Sequence, residues 1–122
     1  MSAEQVTRDG VLAALTRHVG AERGASIHRL TAEVVGAMFA NDAAERAVRQ
    51  RIEELRSEGH HICAHPTTGY HMAATEAELD RTCTYLHDRA MTSLRQVAAM
   101  KRVSLPDLRG QLRLPAEPRE DR

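Results

Sequence analysis

At 122 residues, with 42% hydrophobic residues but only 2% aromatic and no tryptophan, the chain can build one modest core from Leu, Val, Ile, Met and Ala. Seventeen basic and seventeen acidic residues cancel, so the basic excess usual for a nucleic-acid binder is absent. Two cysteines exclude a disulfide framework, no apolar run approaches the roughly 20 residues of a membrane span, and no signal-peptide pattern opens the sequence, so a soluble, cytoplasmic protein is expected.

The first helix is predicted over 8–20, where Val11, Leu12, Leu15 and Val19 recur at helical spacing behind a Thr7 N-cap. Gly20 and the stretch Ala21-Glu22-Arg23-Gly24 form a polar loop. A second helix over about 27–38 carries Ile27, Leu30, Val34 and Met38 on one face. After Phe39-Ala40-Asn41-Asp42, Asp42 and Glu45 have the spacing of a capping box, and a third helix runs over 43–58 to Gly59. The period then changes. His61–Ala64 and Tyr70–Ala73, joined by His65-Pro66-Thr67-Thr68-Gly69, read as a two-stranded hairpin. Thr75 and Glu78 form a second capping-box pattern before a long helix over 76–102. Its apolar stripe is Leu79, Cys83, Leu86, Ala90, Leu94 and Val97, its acids lie early and its bases late, and Ser104 and Pro106 end it. The tail should fray after Leu114.

The segment Arg46-Ala47-Val48-Arg49-Gln50-Arg51-Ile52-Glu53-Glu54-Leu55-Arg56-Ser57-Glu58-Gly59, with Ile62 and then Gly69-Tyr70, carries a resemblance. Over about residues 8–74 the chain resembles the N-terminal winged-helix domain of the biotin ligase/repressor family and a related group of small phage and prophage regulators. The shared features are a recognition helix ending in Leu-Arg-x-x-Gly, an apolar strand residue, and Gly-Tyr on the return strand. The resemblance implies a mainly α fold with a small β-hairpin: a winged helix-turn-helix of three helices plus wing, extended by a long C-terminal helix. The ligase domain of the larger members has no counterpart here, so biotin chemistry is not implied. Residues 1–75 are expected to form the winged helix, 76–103 a dimerisation or packing helix, and 104–122 a partly disordered tail.

The residues support this reading independently. At 100° per residue, Ala44, Val48, Ile52 and Leu55 share one face of the third helix, while Arg46, Gln50, Glu53 and Ser57 share the opposite one, with Arg49 on its flank. An outward polar face suits a major groove, because Arg can pair with guanine O6 and N7 and Gln with adenine N6 and N7. The candidate DNA-binding residues are therefore Arg46, Arg49, Gln50 and Glu53, with Thr67 and Thr68 at the wing tip. The bland alternative is a solvated helix face. Residues 43–59 hold four arginines and four glutamates, but from Arg89 to Arg113 six bases oppose only Asp107. Such a local stretch can hold phosphates because screening acts over about 10 Å. Arg29, Arg95 and Arg102 are the candidate phosphate contacts.

His60, His61, Cys63, His65 and His71 crowd into the hairpin, and Cys83 and His87 are four apart on one helix. The pairing of Cys with His suits zinc, yet the spacing matches no standard site, and Cys83 in an apolar stripe reads as a small hydrophobe. No metal and no other cofactor is expected. Catalysis lacks support too: there is no GxSxG and no P-loop, and Glu53 and Glu54 point apart on a helix. The expected function is double-stranded DNA binding by a phage or prophage-type regulator of transcription or accessory of replication initiation. The alternatives are a winged-helix module for protein partners, which the neutral charge favours, and a metal-responsive regulator. The second half of the long helix, with Ala90, Leu94, Val97 and Met100, predicts a homodimer; the competing cover is the chain's own Leu105, Leu108 and Leu112.

Overall fold

The computed structural model describes residues 5–102 and Pro106. The described chain is mainly helical, with a two-stranded antiparallel hairpin and a long C-terminal helix. It divides into two compact units, Met1–Thr82 and Cys83–Arg122. The expected fraying after Leu114 and the three tail leucines lie outside the described residues.

Helix α1 (Arg8–Leu15) starts where the Thr7 side chain accepts the Gly10 N–H at 3.0 Å, and it buries Val11, Ala14 and Leu15. It stops five residues short of the predicted end. The His18 carbonyl accepts the Met72 N–H at 2.7 Å, and the Gly20 N–H donates to Met72 at 2.9 Å, so the second strand takes the backbone that a longer helix would need. A 3₁₀ turn at Ala21–Arg23 follows. Helix α2 (Ile27–Val35) is capped by Ser26, whose hydroxyl accepts the Arg29 N–H at 3.1 Å. It ends at Gly36, where φ is 92°, and Ala37–Phe39 form a 3₁₀ turn. Met38, expected in the core, is therefore 88% exposed.

Helix α3 (Asp42–Ser57) is capped by Asn41, whose Oδ1 accepts the Ala44 N–H at 2.8 Å. The capping box predicted from Asp42 does not form. Asp42 is already inside the first turn, where its charge suits the helix dipole, and Glu45 turns inward to His28 on α2. Strands β1 (Ile62–His65) and β2 (Gly69–Met72) pair antiparallel, with Ile62 opposite Met72 and Cys63 opposite His71. The second strand gains a further neighbour: Ala25, just before α2, exchanges two backbone hydrogen bonds with Tyr70, at 2.9 and 2.8 Å.

Helices α1, α2 and α3 each pack on the other two. Their shared core holds Val11, Leu15, Leu30, Val35, Val48, Ile52 and Leu55, closed by Ile62 from β1. The long helix α4 (Glu76–Lys101) has Thr82 as its one buried residue among those described. Its first turns join the hairpin through polar contacts rather than the predicted stripe. Glu78 accepts the N–H groups of Ala74 (2.9 Å) and Ala21 (3.1 Å), its carbonyl receives the Cys63 thiol at 3.6 Å, and the Thr82 hydroxyl accepts the Ala64 N–H at 3.4 Å. The Thr75 hydroxyl does accept the Glu78 N–H at 3.2 Å, which is half of the expected box. Cys83 and Leu86, predicted to pack, are exposed. Within the first unit, Glu78 and Thr82 are the residues of α4 that bond to the hairpin. The boundary between the two compact units falls after Thr82.

Candidate nucleic-acid interface

Helix α3 sorts its charges by direction. Arg51 pairs with Glu54 at 3.4 Å, and the Arg56 Nε donates to the Ile62 carbonyl at 2.9 Å. Glu54 and Glu58 engage Arg8 of α1, and buried Glu45 engages His28. Four of the eight charged side chains of residues 43–59, Arg51, Arg56, Glu45 and Glu54, are thus at least partly withdrawn from the surface. Arg46, Arg49 and Gln50 are exposed, and among the described residues no hydrogen bond or ion pair holds them. Glu53 is exposed beside them, on the border of a cleft shared with Arg8, Glu54 and Glu58. The outward face therefore carries exposed Asp42 in its first turn, Arg46, Arg49 and Gln50 in the middle, and Glu53 beyond them.

At the hairpin turn, Thr67 is exposed and Thr68 is not free to reach outward. The Thr68 hydroxyl donates to the Ala21 carbonyl, and the His65 Nδ1 accepts the N–H groups of Thr67 (3.0 Å) and Thr68 (3.3 Å). The histidine at this tip shapes the turn. Close approach of the turn to the loop after α1 needs glycine: a Cβ on Gly24 would lie 2.6 Å from the Thr68 carbonyl oxygen.

Arg29 stands with two arginines that sequence reasoning did not single out. Arg17, Arg23 and Arg29 line a cleft of about 350 Å³ with His18, Glu22 and Glu33. The loop 16–24 brings these bases together, and no local pattern announces it. Glu33 organises them: it meets the Arg29 Nε at 3.1 Å, the Arg17 guanidinium at 3.8 Å and the His18 Nε2 at 2.8 Å. His18 is buried, and its Nδ1 donates to the Arg23 carbonyl at 2.8 Å. Arg95 and Arg102 belong to the second unit, where both are exposed.

No protein-family model, curated protein or solved structure matches this chain.

The hairpin histidines and the cysteines separate. Cys63 and His71 face each other across the strands, both buried, whereas His61 and Cys83 are exposed. Among the described residues, no three His, Cys, Asp or Glu side chains come together in a way that could hold a metal ion. No described helix is long and apolar enough to cross a membrane.

Two carboxylates give the fold an acid-sensitive side. For Glu33, burial works against the charge, but the hydrogen bond and charge of His18, and then of Arg29, hold the carboxyl below its ordinary range. For Glu78, the N–H groups of Ala74 and Ala21 do most of the lowering against a small burial cost, and His71 and Arg81 add to it. A carboxyl lowered in the folded state stabilises it above the unfolded-state value, and that contribution is lost as pH falls through the lowered value. The melting temperature should therefore drop on acidification below the usual carboxylate range. Glu33→Gln/Glu78→Gln should start from a lower melting temperature and lose less of it over the same interval. Parallel melting curves for parent and variant would show that these two groups do not drive the acid response.

Proposed function

We propose that this chain is a winged helix-turn-helix protein that binds double-stranded DNA, with α3 lying in the major groove. Three observations support the reading. The order α1, α2, α3, hairpin is that of a winged helix, and the Ala25–Tyr70 pairing supplies the short first strand such a sheet has beside its hairpin. The turn through Gly36 and Ala37–Phe39 stands where the fold joins its second helix to its reading helix. The observation that carries the function is the exposed trio Arg46, Arg49 and Gln50, whose side chains no hydrogen bond or ion pair holds among the described residues. These are the side chains able to reach guanine and adenine edges, on a helix whose other bases are committed inward. The Arg17, Arg23 and Arg29 cluster and Thr67 would meet phosphates, which position a protein without specifying sequence. Regulation of transcription and support of replication initiation, of the phage or prophage kind, both fit such a reader.

The acidic end of α3 favours a second reading, a winged helix that binds a protein partner. Exposed Glu53 and Glu58 would repel phosphates but would suit a basic protein surface. Selection from random double-stranded oligonucleotides at two salt concentrations separates the two. A DNA reader enriches a motif and loses affinity with salt, and a protein-binding module does neither. At the selected site, Arg46→Ala and Gln50→Ala should each weaken binding by about 1–3 kcal/mol and relax specificity, with melting temperature unchanged. Parent-like binding by both variants would remove α3 as the reader.

A further inference from the structure

The long helix carries a seam that its own chain's packing on the hairpin does not use. Along α4, Glu76, Asp80, Cys83, His87, Ala90, Leu94, Val97 and Lys101 recur at alternating steps of four and three, the spacing of coiled-coil core positions. This line differs from the Glu78–Thr82 face bonded to the hairpin. Most helical stability in proteins comes from packing, yet this 26-residue helix has one fully buried side chain. Cys83, His87 and Ala90 are exposed, Leu94 and Val97 are half-buried, and exposed Leu86 and Met100 flank the line.

The helix as a whole is also charged in a directional way. From Glu76 to Asp88 the helix has four acids and one base, and from Arg89 to Arg102 it has four bases and no acid. We propose that α4 pairs with α4 of a second copy of this chain, antiparallel and centred between Asp88 and Arg89. In that register Cys83 meets the partner's Leu94, His87 meets the partner's Ala90, Asp80 meets the partner's Val97 and Glu76 meets the partner's Lys101. Each small or polar residue near the middle faces a different residue rather than itself, and Glu76 at one end of the seam meets Lys101 at the other, in two symmetric pairs. A parallel pair would instead set Glu76 against Glu76, Asp80 against Asp80 and Lys101 against Lys101, which like-charge repulsion opposes. The small side chains of Ala90 and Ala98 let the two backbones approach. The pairing stands apart from the DNA reading, because a dimer that ignores DNA leaves it intact.

Sedimentation of the full chain and disulfide trapping test it together. The parent should sediment as a dimer at micromolar concentration, and Leu94→Asp as a monomer. Under mild oxidation Leu94→Cys should form a covalent dimer through Cys83 and the partner's position 94. The parent, and Cys83→Ser/Leu94→Cys, should stay uncrosslinked. Residues 83 and 94 of one helix are about 16 Å apart, too far for a bond within the chain. Lys101→Glu should weaken the dimer, and Glu76→Lys/Lys101→Glu should restore it, a readout independent of the new cysteine. A monomeric parent, which means that the seam is covered within its own chain, overturns the proposal. So does a parent that crosslinks through Cys83 to Cys83, or a charge swap that fails to restore association.

Discussion

Gly69→Ala should cost about 3 kcal/mol or more of folding stability and free the hairpin from the helices. At this position φ is 97°, a conformation that strains a non-glycine residue by roughly 1–3 kcal/mol. A Cβ there would also overlap the Ala25 carbonyl and come within 2.8 Å of the Ser26 nitrogen. All three atoms it would meet belong to the Ala25–Ser26 backbone, so no side chain can swing away. The paired bonds between Ala25 and Tyr70 would have to open, at a net cost of about 0.5–1.5 kcal/mol each. Gly59→Ala is the matched control. Its φ is 101°, yet nothing lies within 4 Å of the added carbon, so strain alone should act. Denaturant melts of the two variants measure the difference. Equal losses would mean that the close approach of β2 to Ala25 contributes nothing to stability.

Leu30→Ala should destabilise the fold by about 2–5 kcal/mol, a large share of the roughly 5–15 kcal/mol that a domain of this size has. Leu30 is fully buried in α2, among side chains of α1 and α3 that cannot close the gap without losing contacts of their own. Met38→Ala gives the contrast. Sequence periodicity puts Met38 on the same stripe as Leu30, but the chain leaves the helix at Gly36 and Met38 is 88% exposed. Its truncation should shift stability by no more than about 0.5 kcal/mol. Chemical denaturation of both variants decides whether α2 ends where the structure ends it. A comparable loss in the two would mean that Met38 is packed in solution.

The elements governed by local physics were legible in the residues. The stripe Ala44, Val48, Ile52 and Leu55 and the opposite face of Arg46, Gln50 and Glu53 follow from helical period, and burial and exposure fall as that period requires. The hairpin followed from Pro and Gly between short β-prone runs, one residue off in each strand. The long helix followed from its spacing and its acid-to-base gradient. Contacts between distant segments carry no local signal, and they decided the rest. Met72 takes the backbone of His18 and Gly20 and so ends α1 early. His28 draws Glu45 away from the start of α3, and Asn41 becomes the cap. The neutral charge of α3 acquired a direction only when Arg8, Ile62 and His28 claimed some of its charged groups and left Arg46 and Arg49 unclaimed. Periodicity tells which way a side chain points on its own helix. Which partner waits there depends on how segments far apart in sequence are folded together, and that alone set the ends of the helices and the charges left for a ligand.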